Sequence, residues 1–172
     1  LPLEDNTLKI VSRTGENRVK VKGKIAFSGN QIYSYLNTFA TTDQAGNLIQ
    51  VDTKGNVVKT PLSLAQGHKI DATSKSMASI SDNILTIKGI PVTLPFGAYT
   101  QPKIFYINNI LYITTTDLEA QKVYVYYSNG TAVEGFPVYG SSAADLSNID
   151  KDSAVELSVR SENKEVLIYE FN

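Results

Sequence analysis

Short alternations of apolar and polar residues recur along this chain, and each of them runs into a glycine. Such alternation predicts half-buried β-strands, because successive side chains of a strand point to opposite faces. Glycine at the end supplies the positive φ that a hairpin turn needs. The copies are Leu8-Lys-Ile-Val-Ser-Arg-Thr-Gly15, Leu48-Ile-Gln-Val-Asp-Thr-Lys-Gly55, Val123-Tyr-Val-Tyr-Tyr-Ser-Asn-Gly130 and the shorter Ile84-Leu-Thr-Ile-Lys-Gly89.

The spacing of these turns predicts the architecture. The turn glycines are 40, 34 and 41 residues apart, and Pro61, Pro95 and Pro137 follow them by six or seven residues. Proline suits an outer strand, which needs no ladder N–H. Four short strands in about 40 residues are typical of a propeller blade. We therefore predict an all-β β-propeller of four-stranded repeats, four-bladed or a partial section of a larger one; a β-sandwich or another antiparallel repeat is the alternative.

Helical periodicity is weak throughout, and the best helical candidate, residues 62–80, is predicted as loop plus strand. We expect strands over more than about half of the residues. The repeat predicts a single domain over residues 1–172, with units at approximately 1–22, 23–64, 65–97, 98–138 and 139–172. The chain begins and ends on a third strand, so the end units are partial.

The two end units carry opposite charge: residues 1–24 sum to +3 and residues 141–172 to −4. Such runs of charge are explained equally well by solvent-exposed strand faces and by a contact between the two end units. A terminal unit with an apolar face and an unpaired edge nevertheless aggregates unless something covers it. We expect the end units to lie next to each other and close a ring within one chain, or each to pack against a neighbouring chain in a homodimer.

Composition excludes several classes of function. The chain is 42% hydrophobic and 19% charged with a formal charge of −1, which indicates a globular protein without a field that would attract nucleic acid. No apolar run approaches the length of a membrane span. The absence of cysteine excludes disulfides, thiolate catalysis and cysteine-based zinc sites. Because the chain starts without Met or a signal sequence, we expect a processed protein or a piece of a longer one.

One stretch resembles a known family. Asn129-Gly-Thr-Ala-Val-Glu-Gly-Phe-Pro137, followed by Asp145-Leu-Ser-Asn-Ile-Asp-Lys-Asp-Ser-Ala-Val-Glu-Leu157, resembles propeller repeats of the FG-GAP/VCBS type, in which a Gly-Phe-Pro edge strand leads into an Asp-rich loop. The wider chain resembles the C-terminal region of exported Bacteroidetes proteins of unknown function. The resemblance implies a bacterial protein that is periplasmic, on the cell surface or secreted.

In the family that loop binds Ca²⁺ through acidic oxygens. The positions that match its ligands are Asn148, Asp150, Asp152 and Glu156, with Ser153 where the family has glycine. Asparagine supplies only a neutral carbonyl, and serine resists the sharp turn that glycine permits. We therefore expect no cofactor, with calcium as the alternative, and a degenerate loop whose Asp side chains cap backbone N–H groups.

The remaining candidate residues have structural explanations. His68, the only histidine, has no acidic partner at metal spacing, so it is expected in a solvent-exposed loop rather than as a zinc ligand or general base. Asp43 and Asp117 recur with the repeat, which favours turn caps over paired catalytic carboxylates. A cluster of three tyrosines, Tyr124, Tyr126 and Tyr127, has two possible roles. Such rings can stack on sugar rings or on a partner, but alternating tyrosines on a strand are expected to pack between blades.

No hydrolase elbow, phosphate loop or dinucleotide fingerprint is present. The sequence favours a non-enzymatic binding or scaffold module that presents loops to a protein or a polysaccharide. The alternative is part of a propeller enzyme, a hydrolase or lyase acting on polysaccharide, whose site is completed by other blades or domains. A purely structural segment that caps a larger exported protein is a third possibility.

Overall fold

The computed structural model describes residues 8–172, and this part of the chain is built from strands without a helix. The strands are β1 (Lys9–Val11), β2 (Asn17–Lys20), β3 (Tyr33–Tyr35), β4 (Thr38–Thr42), β5 (Asn47–Val51), β6 (Val57–Pro61), β7 (Lys69–Ala72), β8 (Met77–Ser81), β9 (Ile84–Ile87), β10 (Ile90–Thr93), β11 (Lys103–Ile107), β12 (Ile110–Asp117), β13 (Lys122–Tyr127), β14 (Val138–Tyr139), β15 (Asp145–Ser147), β16 (Val155–Arg160) and β17 (Val166–Phe171).

Strands cover somewhat less than half of the described residues, so the expected strand content was too high. The reason is that most strands are only three to six residues long, and turns of similar length join them. A helix able to cross a lipid bilayer is not found among residues 8–172.

The strands pair with their neighbours in sequence. Three antiparallel sheets have four strands each, in the orders β3-β4-β5-β6, β7-β8-β9-β10 and β11-β12-β13-β14. A three-stranded sheet, β15-β16-β17, and a two-stranded one, β1-β2, contain the remaining strands. Repeated four-stranded meanders of this kind are typical of propeller blades.

The predicted turn glycines all adopt positive φ, at +86°, +81°, +85° and +84° for Gly15, Gly55, Gly89 and Gly130. Residues 62–80 contain no helix, and strands β7 and most of β8 lie there, as the sequence predicted.

The chain divides into two compact units. Within the described residues, unit 1 comprises residues 8–68 and Ala72–Lys75, and unit 2 comprises Lys69–Asp71 and Ser76–Asn172. The core of unit 1 forms between the β1-β2 sheet and the β3–β6 sheet. Its buried residues are Leu8, Val21, Ile25, Ile49 and Val51.

Unit 2 has two buried clusters, each between successive sheets. The first joins the β7–β10 and β11–β14 sheets, and the second joins the β11–β14 and β15–β17 sheets. Tyr126 is buried in the first cluster with Tyr124 packed against it, and Tyr127 packs against the second. The predicted role of these tyrosines in packing between blades is confirmed.

Candidate functional site

His68 is buried, with 5% of its surface exposed, so the expectation of a solvent-exposed loop residue was wrong. The physical reason is that both ring nitrogens have partners within the protein, which offsets the cost of removing them from water. Nδ1 lies 2.8 Å from the carbonyl oxygen of Ala65, three residues earlier. Nε2 lies 2.8 Å from Oγ1 of Thr42 at the end of β4.

These partners assign the ring tautomer. In the neutral imidazole one nitrogen donates and the other accepts, and a carbonyl oxygen only accepts, so Nδ1 of the neutral ring carries the hydrogen and donates it to Ala65. That leaves Nε2 as the acceptor, and the hydroxyl of Thr42 donates to it. Thr42 is itself fully buried, so this hydroxyl is a structural partner of the imidazole rather than a solvent group.

The Thr42 hydroxyl connects His68 to two further side chains. Because its hydrogen goes to His68, Thr42 Oγ1 accepts from Ser28 Oγ at 2.7 Å and from Asn30 Nδ2 at 3.0 Å. Asn30 Nδ2 also lies 2.9 Å from Ser28 Oγ and 3.2 Å from the His68 carbonyl. The result is a directed chain of hydrogen bonds from Ser28 through Thr42 to His68.

This chain lies beside a pocket of about 350 Å³ within unit 1. The pocket is lined by Ser28, Gln44, Gln66, Gly67 and His68. The polar side-chain groups of these described residues are one hydroxyl, two amides and an imidazole, with no carboxylate or amine among them. Backbone hydrogen bonds hold Ser28 and Gln44 beside each other. The N–H of Ser28 donates to the Thr42 carbonyl at 3.1 Å, and the N–H of Gln44 donates to the Ala26 carbonyl at 2.7 Å.

Sequence reasoning missed this pocket, although it singled out His68. Ser28, Gln44 and His68 lie 16 and 24 residues apart along the chain. No motif spacing connects them, and only the pairing around β4 brings them together.

The sequence-predicted acidic loop does bring its carboxylates together. Oxygens of Asp150, Asp152 and Glu156 all lie within 4.8 Å of one another. Each carboxylate also accepts a backbone N–H of the same loop: Asp150 from Asp152 at 3.3 Å, Asp152 from Ala154 at 2.6 Å, and Glu156 from Ile149 at 2.7 Å. The expectation that the Asp side chains of this loop cap backbone N–H groups is confirmed, and Glu156 does the same.

Asn148 contributes to the loop through its amide. Its Nδ2 donates to the carbonyl of Asp152 at 2.7 Å and to Oδ1 of Asn108 at 3.2 Å, while its own Oδ1 is buried and has no hydrogen-bond partner among the described residues. The positive φ of the loop is at Lys151, +66°, and not at Ser153. The expected conflict between Ser153 and a glycine-type turn therefore does not arise.

The donor set fits a calcium ion incompletely. Three carboxylates and one amide oxygen are fewer than the six to eight oxygens that Ca²⁺ takes, unless carboxylates bind through both oxygens or water joins them. The loop's own N–H groups already hold the acids in place. That folding does not require calcium stays a prediction.

Asp43 and Asp117 are turn caps, as predicted. Asp43 Oδ1 accepts the N–H groups of Ala45 at 3.0 Å and Asn47 at 2.9 Å, and Asp117 Oδ1 accepts those of Glu119 at 3.0 Å and Ala120 at 3.1 Å. Their recurrence reflects a repeated turn rather than a pair of catalytic carboxylates.

Comparison with known proteins supports the fold and no particular activity. No family model matches the chain, and no curated protein matches it. Among solved structures, it is similar to a catalytically inactive histidine-to-alanine variant of virginiamycin B lyase from Staphylococcus aureus, crystallised with quinupristin; the identity is 13%, the TM-score 0.51, and the match covers 98% of this chain and 72% of that one. That lyase is a β-propeller. With the four-stranded sheets, the likeness confirms the predicted all-β propeller fold.

Proposed function

We propose that this chain is a non-enzymatic binding module of an exported bacterial protein, and that the pocket beside His68 takes a neutral ligand rich in hydroxyl groups, such as a sugar residue of a polysaccharide. The observation that carries the proposal is the lining of the pocket by neutral hydrogen-bonding groups: Ser28, Gln44, Gln66, Gly67 and His68.

The chemistry of the lining supports a saccharide over an ion. A glutamine amide offers both donors and an acceptor, which matches hydroxyl groups that donate and accept in turn. Among the described residues, no charged side chain lines the pocket to neutralise an anion or a cation. Its volume, about 350 Å³, lies in the range of about 300 to 1,000 Å³ that is usual for small-molecule sites.

The hydrogen bonds around His68 support binding over catalysis. A general base needs a ring nitrogen within reach of the proton that it removes. Both nitrogens of His68 are bonded within the protein, and the hydroxyl hydrogens of Thr42 and Ser28 are used along the same chain. These hydrogen bonds hold the groups in place before a ligand enters. Such an arrangement favours binding, because the side chains lose little conformational freedom when the ligand binds.

Titration calorimetry against a panel of neutral oligosaccharides tests the proposal. We expect Gln66→Ala to weaken binding of the responding saccharide about tenfold, the equivalent of one lost hydrogen bond. Gln31→Ala is the matched control, because Gln31 is exposed and does not line the pocket. Absence of binding by the whole panel, or equal affinity of Gln66→Ala and the unaltered protein, would contradict it.

A second candidate is part of a propeller enzyme, a hydrolase or lyase acting on polysaccharide. Two observations favour it: the similar solved structure is a lyase by name, and a hydroxyl-to-imidazole chain runs beside the pocket. Release of new reducing ends or unsaturated products from a polysaccharide, abolished by His68→Ala in a protein that still folds, would favour this candidate over simple binding.

A further inference from the structure

One edge of strand β17 is not paired with any strand of the described residues. Among the described residues it pairs with β16 alone, on one side. In each of the three four-stranded sheets, a fourth strand pairs with the other side of the third: β6 with β5, β10 with β9, and β14 with β13. An open row of N–H and C=O groups is a template for another strand.

The hydrogen bonds of β17 show which groups are open. The N–H of Ser161 donates to the carbonyl of Glu165 at 2.8 Å, so the backbone groups of Glu165 point towards β16. Because the direction alternates along an antiparallel ladder, those of Leu167 and Tyr169 also point towards β16. The N–H and C=O groups of Val166 and Ile168, and of Glu170 after them, therefore point to the open side.

The outward side chains of β17 are apolar at its centre. Val166 is 72% exposed and Ile168 is 64% exposed, while Leu167, Tyr169 and Phe171 pack against the core on the opposite face. The outer strands of the complete sheets contain or follow a proline, which interrupts pairing: Pro61 in β6, Pro91 in β10 and Pro137 just before β14. Strand β17 has no such protection.

We propose that β17 pairs antiparallel with β17 of a second copy of this chain, about a two-fold axis at Leu167. In that register Val166 faces the partner's Ile168, and Ile168 faces the partner's Val166. Both residues have open backbone groups, so these pairs form two hydrogen bonds each. The exposed apolar side chains then cover each other as cross-strand neighbours.

Charge supports the same register. Within the chain Glu170 lies directly opposite Glu156 on β16, a destabilising arrangement, and no cationic side chain that the structure describes forms an ion pair with it. About the axis at Leu167, Glu170 comes to lie beside the partner's Lys164, which is in the turn before β17 at a φ of +68° and has a side chain long enough to reach the carboxylate. A shift of the axis by one residue either way moves both lysine–glutamate pairs from facing to more distant diagonal positions, so charge favours this alignment.

Sedimentation equilibrium measures the association. A pair of six-residue strands is a small interface, so we expect a weak dimer that is visible at a concentration on the order of 100 µM. Ile168→Lys sets a lysine against the apolar centre of the partner strand and should give a monomer. Val58→Lys is the matched control, since Val58 is 58% exposed on the outer strand β6. A monomeric unaltered protein, or a control variant as monomeric as Ile168→Lys, overturns the proposal.

Charge exchange tests the register itself. Glu170→Lys, like Lys164→Glu, places like charges opposite each other twice per dimer and should raise the dissociation constant about tenfold. The double variant Lys164→Glu with Glu170→Lys restores both pairs and should restore the dimer, whereas failure to do so overturns the register. Circular dichroism checks that each variant folds. The outcome is independent of saccharide binding, because no residue of the pocket takes part.

Discussion

Individual aspartates organise the turns of this protein through bonds to residues close in sequence. Asp43 and Asp52 each begin an Asp-x-x-Gly-Asn segment, and the Oδ1 of each accepts the N–H groups two and four residues later. The asparagine amide that ends each segment, Asn47 or Asn56, donates back to the same carboxylate. The repetition is readable in the sequence and predicts the turn.

At Asp43 this arrangement makes the stability of the fold depend on pH. Burial alone opposes ionisation of the carboxyl, but the Lys59 ammonium at 2.8 Å and the bonds from Asn47 outweigh it and hold the pKa of Asp43 below its ordinary value of 3.8. A folded pKa below the unfolded one means that the ionised group favours folding. Its stabilisation is complete above pH 4 to 5, and it is lost as pH falls through the lowered folded pKa.

We expect Asp43→Asn to lower the free energy of unfolding by about 1 to 2 kcal/mol at neutral pH, with a smaller loss in strong acid. Urea unfolding at both pH values measures the difference. Asp82→Asn is the control, because Asp82 lies in an exposed turn at positive φ that asparagine also adopts. A loss for Asp43→Asn that is the same in acid as at neutral pH would show that the ionised carboxylate is not the cause.

At the scale of elements, local chemistry predicted some hairpins and not others. The glycine turns followed from the sequence, but the first turn of two sheets has no glycine and is formed by Leu36-Asn37 and Asn108-Asn109, all at positive φ. Asparagine tolerates this conformation, whereas leucine adopts it at a steric cost. The N–H of Leu36 donates to the carbonyl of Ser74 at 3.0 Å, a bond to a distant residue that helps to offset that cost.

The acidic loop between β15 and β16 is an element whose integrity we expect to be independent of metal. Its carboxylates are bonded to N–H groups of the loop, so removal of Ca²⁺ leaves them with partners. The melting temperature should be the same in EDTA as in millimolar Ca²⁺. A rise of many degrees with Ca²⁺ that Asp150→Ala abolishes would instead identify a calcium site that stabilises the fold.

For the whole molecule, the placement of the two ends stays a prediction from charge and from the need to cover terminal edges. Because the chain has no cysteine, Arg13→Cys with Glu162→Cys places two spin labels in exposed turns of the first and last sheets. Ring closure within one chain predicts a short label distance that persists when labelled protein is diluted with unlabelled protein. Packing against neighbouring chains predicts a short distance that disappears on dilution. A long distance in a monomer would contradict both.

The sequence by itself determined the local features of this protein: the strands, the glycine turns, the aspartate caps and the repeat that identifies propeller blades. It also located the acidic loop, because those carboxylates lie within a span of seven residues. These features depend on contacts between residues close along the chain, so alternation and turn chemistry are sufficient to predict them.

Only the tertiary structure decided the burial of His68, its chain of bonds to Thr42 and Ser28, and the edge of β17 that no described strand covers. The physical reason is the same in each case. Whether a side chain is buried, and whether a strand edge is paired, depends on contacts between segments that are distant in sequence. Those contacts follow from the packing of whole sheets, which the pattern of one strand does not specify.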